Sequence, residues 1–307
     1  MAHISSRSLC VLFASLLLLG LAVPSCTAWK PGKFTVSDLE HIQAALNLQY
    51  LEAEFFLWGV FGYGLDKIAP ELVLGGPEPI GASFAPLDLI TVDILIQIGL
   101  EEVGHLRALH KALGPYYFPR VQLDLSNATW GQLIDDAFGQ KLNPPFNPYA
   151  NTLNFLLGMY TLPYVGMTGY VGTSPLLKGA DAKALVAGLL AVEAGQDAVI
   201  RRTLWNFADK IVAPYNFTVT NFTDIVSNWR NSLSHAFLDE GLVVPISEGA
   251  NGQTTGNVLA GNKDSLAFAR TAEQVFATVY GTGNASKPGG FFPQGADGVI
   301  AKRFLKS

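Results

Sequence analysis

Cysteine is nearly absent. The 307-residue chain has two, Cys10 and Cys26, and none beyond position 26. Neither a disulfide framework nor a thiolate-ligated metal site is then available to the rest of the chain, so its core must hold by packing alone. Charge is scarce as well. Lys, Arg, Asp and Glu make up 15% of residues, and the formal net charge is −5. That excludes a basic nucleic-acid-binding surface, and with 49% hydrophobic residues it excludes an intrinsically disordered chain. No Gly-x-Ser-x-Gly, phosphate-loop or dinucleotide motif occurs, so hydrolase and nucleotide-binding classes lack support. Internal repeats, low-complexity tracts and alternating strand patterns are also missing.

What is present begins with a leader. Residues 1–28 combine Arg7, an apolar run from Leu9 to Ala22 and small residues before Ala28, the pattern of a secretory signal peptide cleaved after Ala28. The run is short for a membrane span. Four sequons, at Asn127, Asn216, Asn221 and Asn284, fit a secreted glycoprotein.

Four long amphipathic helices follow. The first is capped by Thr35 or Ser37 and ends at the glycines at 62 and 64, with Ile42, Leu46, Gln49, Ala53, Phe56, Leu57 and Val60 on its inward stripe. The second starts near Leu87 and stops at Gly114-Pro115, its stripe being Ile94, Ile98, Glu102, His105, Leu109 and Ala112. A connector holds a short helix with Thr129 as cap. The third element, from Asn151, lies in a stretch without charge from Leu142 to Leu177. That stretch is long enough to span a bilayer, but Pro163 and the glycines at 158, 166 and 169 make it a buried core helix. The fourth carries Val186, Leu189, Glu193, Gln196, Ile200, Leu204 and Phe207 inward. A shorter helix covers 221–236 and another lies near 264–279. The expected fold is all-α: a ferritin-like four-helix bundle over residues 29–238, with a long crossover between its second and third helices. Residues 239–307 form an irregular C-terminal extension whose aromatics Phe276, Tyr280, Phe291 and Phe292 pack on the bundle.

Charged groups on an inward stripe need a partner or an ion. Glu102-x-x-His105 sets both side chains on successive turns of one face. Two-metal bundles use two such Glu-x-x-His motifs and one Glu from each remaining helix. Here the fourth helix offers Glu193-x-x-Gln196, the first has Gln49 in its stripe with Glu52 at the stripe's edge, and Glu54 points away. The third has no acid, only Asn154, Tyr160, Thr161, Tyr164 and Thr168. The expected metal set is therefore Glu102, His105 and Glu193, with Gln49, Glu52 and Gln196 nearby, enough for a single iron or manganese ion. The competing expectation is a metal-free network in which the two glutamines donate to the two glutamates and protonated His105 pairs with one of them. His41, His110 and His235 read as solvated helix residues, and Asp197 as an i,i+4 partner of Arg201.

The segments "LNLQYLEAEFFLWG", "EEVGHLRAL", "PPFNPYAN", "EAGQDAVIR", "GNVLAGNKDS" and "PGGFFPQGADGVIA" closely resemble the plant desiccation-related proteins of the PCC13-62 type, of the ferritin-like superfamily. The resemblance spans the whole chain after the leader. It implies a link to dehydration or stress. It also marks two departures: Gln49 where that family has Glu, and Gln196 where bacterial relatives have His. Together these readings describe a secreted, glycosylated, stress-related plant protein of the apoplast or cell wall, non-catalytic and without a cofactor. The alternative is a metal-binding protein or oxidoreductase using the residual site. Partners are unknown: neither nucleic acid nor a membrane span is expected, and a carbohydrate or cell-wall contact rests on secretion and aromatics alone.

Overall fold

The computed structural model describes residues 34–307; the leader, with both cysteines, lies outside the described residues. Helix α1 (Val36–Phe61) starts at a capping box in which Thr35 and Asp38 satisfy each other's backbone N–H groups, and it ends at Gly62 with φ of 72°. Helix α2 (Leu89–Leu113) starts at Asp88, whose carboxylate accepts from the N–H groups of Ile90 and Thr91. In the crossover, α3 (Asn127–Phe138) is capped by Ser126 rather than Thr129, whose N–H donates to the Ser126 hydroxyl. The third element is two helices, α4 (Thr152–Thr161) and α5 (Pro163–Thr173). They break where Pro163 lacks the N–H that a continuous helix needs. Among the described residues no helix is long and apolar enough to cross a membrane.

Helix α6 (Ala180–Trp205) completes the bundle. It is followed by α7 (Val219–Ser234), capped by Thr218 with Asn221 closing the capping box, α8 (Ala272–Val279) and α9 (Val299–Phe304). Helix α8 begins later than the pattern suggests, because Thr271 caps it. Helix α1 lies along α2 and meets α5, while α4 and α5 lie along α6, closing one all-α bundle; the described residues hold no β-strand, only isolated bridges. Phe207 falls beyond the end of α6 and is exposed, not inward. All four sequon asparagines are exposed.

The core runs past the bundle into the tail. Phe276, Tyr280, Phe291 and Phe292 are buried, and the Phe291 ring meets Trp130 of α3 edge-on at 4.8 Å. A buried layer of three arginines joins α5, α6 and α7 to residues after 238. Arg230 donates to Asp239 Oδ1 at 2.9 Å, and Arg270 donates to Asp239 Oδ2 at 2.9 Å and to Thr168 at 2.8 Å. Arg201 spends its donors on the backbone carbonyls of Glu240, Gly241 and Asn257 rather than on Asp197. Burial pushes the Asp197 carboxyl up to about 6, against the pull of Arg201 and Arg230. Tyr160 and Tyr164 lie under these guanidinium groups, at 4.8 Å (Arg230–Tyr160) and 5.8 Å (Arg201–Tyr164). Tyr160, Tyr164 and Thr168 of the third element thus serve this layer, while Asn154 donates to the Asn147 carbonyl.

Asp239→Ala leaves two buried guanidinium groups without their shared carboxylate. Urea unfolding is expected to show a loss of about 3–5 kcal/mol, the usual result of removing one member of a buried pair. A loss below about 1 kcal/mol, that of a surface pair, would contradict the role given to this layer.

Candidate metal centre

Three helices each present a polar pair at i,i+3 to one point in the bundle: Gln49 and Glu52 from α1, Glu102 and His105 from α2, Glu193 and Gln196 from α6. All six are buried. Glu102, His105 and Glu193 converge as expected, with one ligand atom from each lying within 4.8 Å of the others. His105 Nδ1 is 3.3 Å from Glu102 Oε2 and 3.8 Å from Glu193 Oε1. The glutamines behave as donors: Gln49 Nε2 to Glu193 Oε1 at 2.5 Å, and Gln196 Nε2 to Glu102 Oε1 at 2.8 Å. Gln196 also reaches Glu101 Oε2 at 3.1 Å, at the rim of a groove of about 390 Å³ between α2 and α6.

Glu52 is the correction. It is fully buried in the cluster, not at the edge of a stripe. Every residue from Leu46 to Leu57 is buried, so α1 has no solvent side at this level. Glu54 does point elsewhere, into an ion pair with buried Arg120, which also binds Asp66 at 2.7 Å. The fourth corner is α5, which contributes no ligand. A Cβ on Gly166 would stand 2.7 Å from Glu52 Oε1 and 3.9 Å from Glu193 Oε2. The glycine is therefore what lets the carboxylates lie against that helix. His41 is half-buried, and His110 and His235 are exposed, away from the cluster.

Three carboxyl groups at one dry place cannot all ionise without compensation. Burial raises the Glu52 pKa well above 4.5, and the charges of Glu193 and Glu102 raise it further. Burial and Glu102 raise Glu193 too, opposed by the Gln49 hydrogen bond. The polar network does not fully close: Gln49 Oε1 and Gln196 Oε1 are buried without a hydrogen-bond partner, and Glu52 and Glu193 pair only through a shared proton. Orphaned groups of this kind call for an explanation. The glutamines are bonded to Glu193 and Glu102, which converge with His105 to within 4.8 Å, and two carboxylates beside an imidazole fit a hard or borderline divalent cation.

The raised carboxyl pKa values make a prediction for metal-free protein. The unfolded chain loses these protons near pH 4.5, while the folded chain keeps them to higher pH. Stability therefore falls as pH rises above 4.5. Thermal melts between about pH 5 and pH 8 should show this fall, and it should be smaller in Glu52→Gln, which cannot ionise. Parallel profiles for the two proteins would contradict the burial of a titrating acid at position 52.

The comparisons agree with this geometry. A family model described as a ferritin-like domain matches residues 37–206. The chain is 46% identical to a protein named ferritin-like catalase Nec2 of Nesocodon mauritianus, over 99% of this chain and 100% of that protein. It is also 46% identical to the desiccation-related protein PCC13-62 of Craterostigma plantagineum, over 89% of this chain and 88% of that one. No solved structure matches. The chain belongs to the ferritin-like family, alongside the plant desiccation-related proteins of the PCC13-62 type.

Proposed function

We propose that this protein is a metal-dependent consumer of hydrogen peroxide. The observation that carries the reading is the convergence of buried Glu102, His105 and Glu193, with a third buried carboxyl, Glu52, against Glu193. Glu102, His105 and Glu193 would hold the ion, and the buried Glu52 stands beside them. Bound iron or manganese supplies reversible electron transfer. In the net reaction two peroxides become two waters and one dioxygen. One peroxide loses two electrons and two protons; the other gains both, and its O–O bond breaks.

The chain's own groups have separate tasks in this scheme. Gln49 and Gln196, as donors to Glu193 and Glu102, fix which carboxylate oxygens face the ion. Burial and the like charges of Glu193 and Glu102 favour the protonated form of Glu52. It can therefore hand over and recover a proton within the cluster. The relative named a catalase supports this reading. Secretion and glycosylation belong to the same proposal, on the leader pattern and the four exposed sequons.

A second reading is favoured by the two glutamine hydrogen bonds, which match a metal-free network in a non-catalytic stress protein. One experiment separates the two. Protein purified without chelator should carry stoichiometric iron or manganese and release dioxygen from peroxide. A Glu102→Ala and Glu193→Ala double variant should lose both properties while remaining helical by circular dichroism. Parent protein that binds neither metal, and releases no dioxygen after loading, would favour the non-catalytic reading.

A further inference from the structure

One member of the cluster also lines the molecule's surface. Gln196 is 3% exposed, and it forms part of the groove between α2 and α6, which holds about 390 Å³. Ile94 and Ile98 of α2 and Val192 and Val199 of α6 form the groove's walls, and Gly195 puts no side chain into it. Among the described residues that line it, only Glu101 is charged. His105 follows Glu101 by one turn on α2, and its side chain is 10% exposed, whereas those of Glu102 and Glu193 are fully buried.

The Gln196 amide is the partition between the groove and the buried acids. Its Nε2 donates outward to Glu101 Oε2 at 3.1 Å and inward to Glu102 Oε1 at 2.8 Å, while its Oε1 is buried without a partner. One amide thus ties an exposed carboxylate to a buried one. Rotation about the glutamine side-chain bonds would release both at once. The apolar walls of the groove strengthen the field of Glu101, which attracts cations. A divalent cation arriving there competes with the amide for the same carboxylate. Gln196 Oε1, which no donor holds, is an oxygen ligand for such an ion. Glu102 Oε1 is the acceptor that the amide gives up as it turns.

We propose that divalent cations load into the carboxylate cluster from the α2–α6 groove, with Glu101 as the first ligand and Gln196 as the gate that passes the ion to Glu102. The assignment rests on the metal-binding reading above. It gives Glu101 a role in loading, outside the set of residues that would hold the resident ion.

The test uses the full chain freed of metal, manganese(II) as the probe, and three variants. Glu101→Gln removes the charge and keeps an acceptor for the Gln196 amide. Gly195→Phe fills the groove, and a Cβ at that position meets nothing within 4 Å, so the fold has room for it. Gly188→Phe is the control. It has the same open surroundings, lies two turns earlier on the same face of α6 and does not line the groove. Rapid mixing followed by a chelator quench gives the rate of uptake, and transfer of loaded protein into excess EDTA gives the rate of release. At low ionic strength Glu101→Gln should take up manganese about tenfold more slowly than the parent, and added salt should narrow the difference. Gly195→Phe should slow uptake and release by one shared factor, with affinity unchanged, because a plug raises the barrier and not the end states. Gly188→Phe should match the parent. The route is overturned if Gly195→Phe exchanges metal as fast as Gly188→Phe, or if Glu101→Gln loads at the parent's rate at low ionic strength. Parent protein that binds no manganese at equilibrium would instead defeat the metal-binding reading, and the loading route with it.

Discussion

Placing acids in a dry interior is the constraint that organises this protein. Three glutamates lie inside a core of Phe, Leu, Tyr and Ala side chains, where an isolated carboxylate is far less stable than in water. The surrounding structure is arranged to make that tolerable. Two glutamine amides donate to two of the acids, an imidazole lies between them, and burial favours the protonated form of the third. The identical i,i+3 spacing on three helices gives each pair the same reach into the bundle, so the six polar side chains meet at one level of the core.

Much of this was legible in the amino-acid order. The helices announce themselves by period and caps, and Glu102, His105 and Glu193 stand out because each interrupts an apolar stripe. Glu52 was misread for a physical reason. Stripe reasoning assumes a helix with a wet side, and α1 has none over its central turns. The signal that would have found it is the repetition of one spacing: Gln49 to Glu52, Glu102 to His105, Glu193 to Gln196. Gly166 was read only as an argument against a membrane-spanning helix, because a glycine's close approach to a distant carboxylate depends on packing that no local pattern records.

The tail was the least readable region. Its glycines and turn formers give no period, and its acceptors for Arg201 are mostly backbone carbonyls, invisible to any search for complementary charge. Only its aromatics foretold that it would pack. Gly172 shows the same limit. It looks like a helix stop, yet α5 runs on to Thr173, and the glycine makes room for the backbone carbonyl of Arg270.

That dependence bears on how the molecule is made. The segment recognised as a ferritin-like domain ends at 206, whereas Asp239 and the carbonyls that receive Arg201 come later in the chain. A ribosome that has released only residues up to 206 has therefore delivered Arg201 while its acceptors are still to be synthesised. The arginine layer can close only once the remaining third of the polypeptide has emerged. The smallest autonomous folding unit is thus larger than the conserved-looking domain within it.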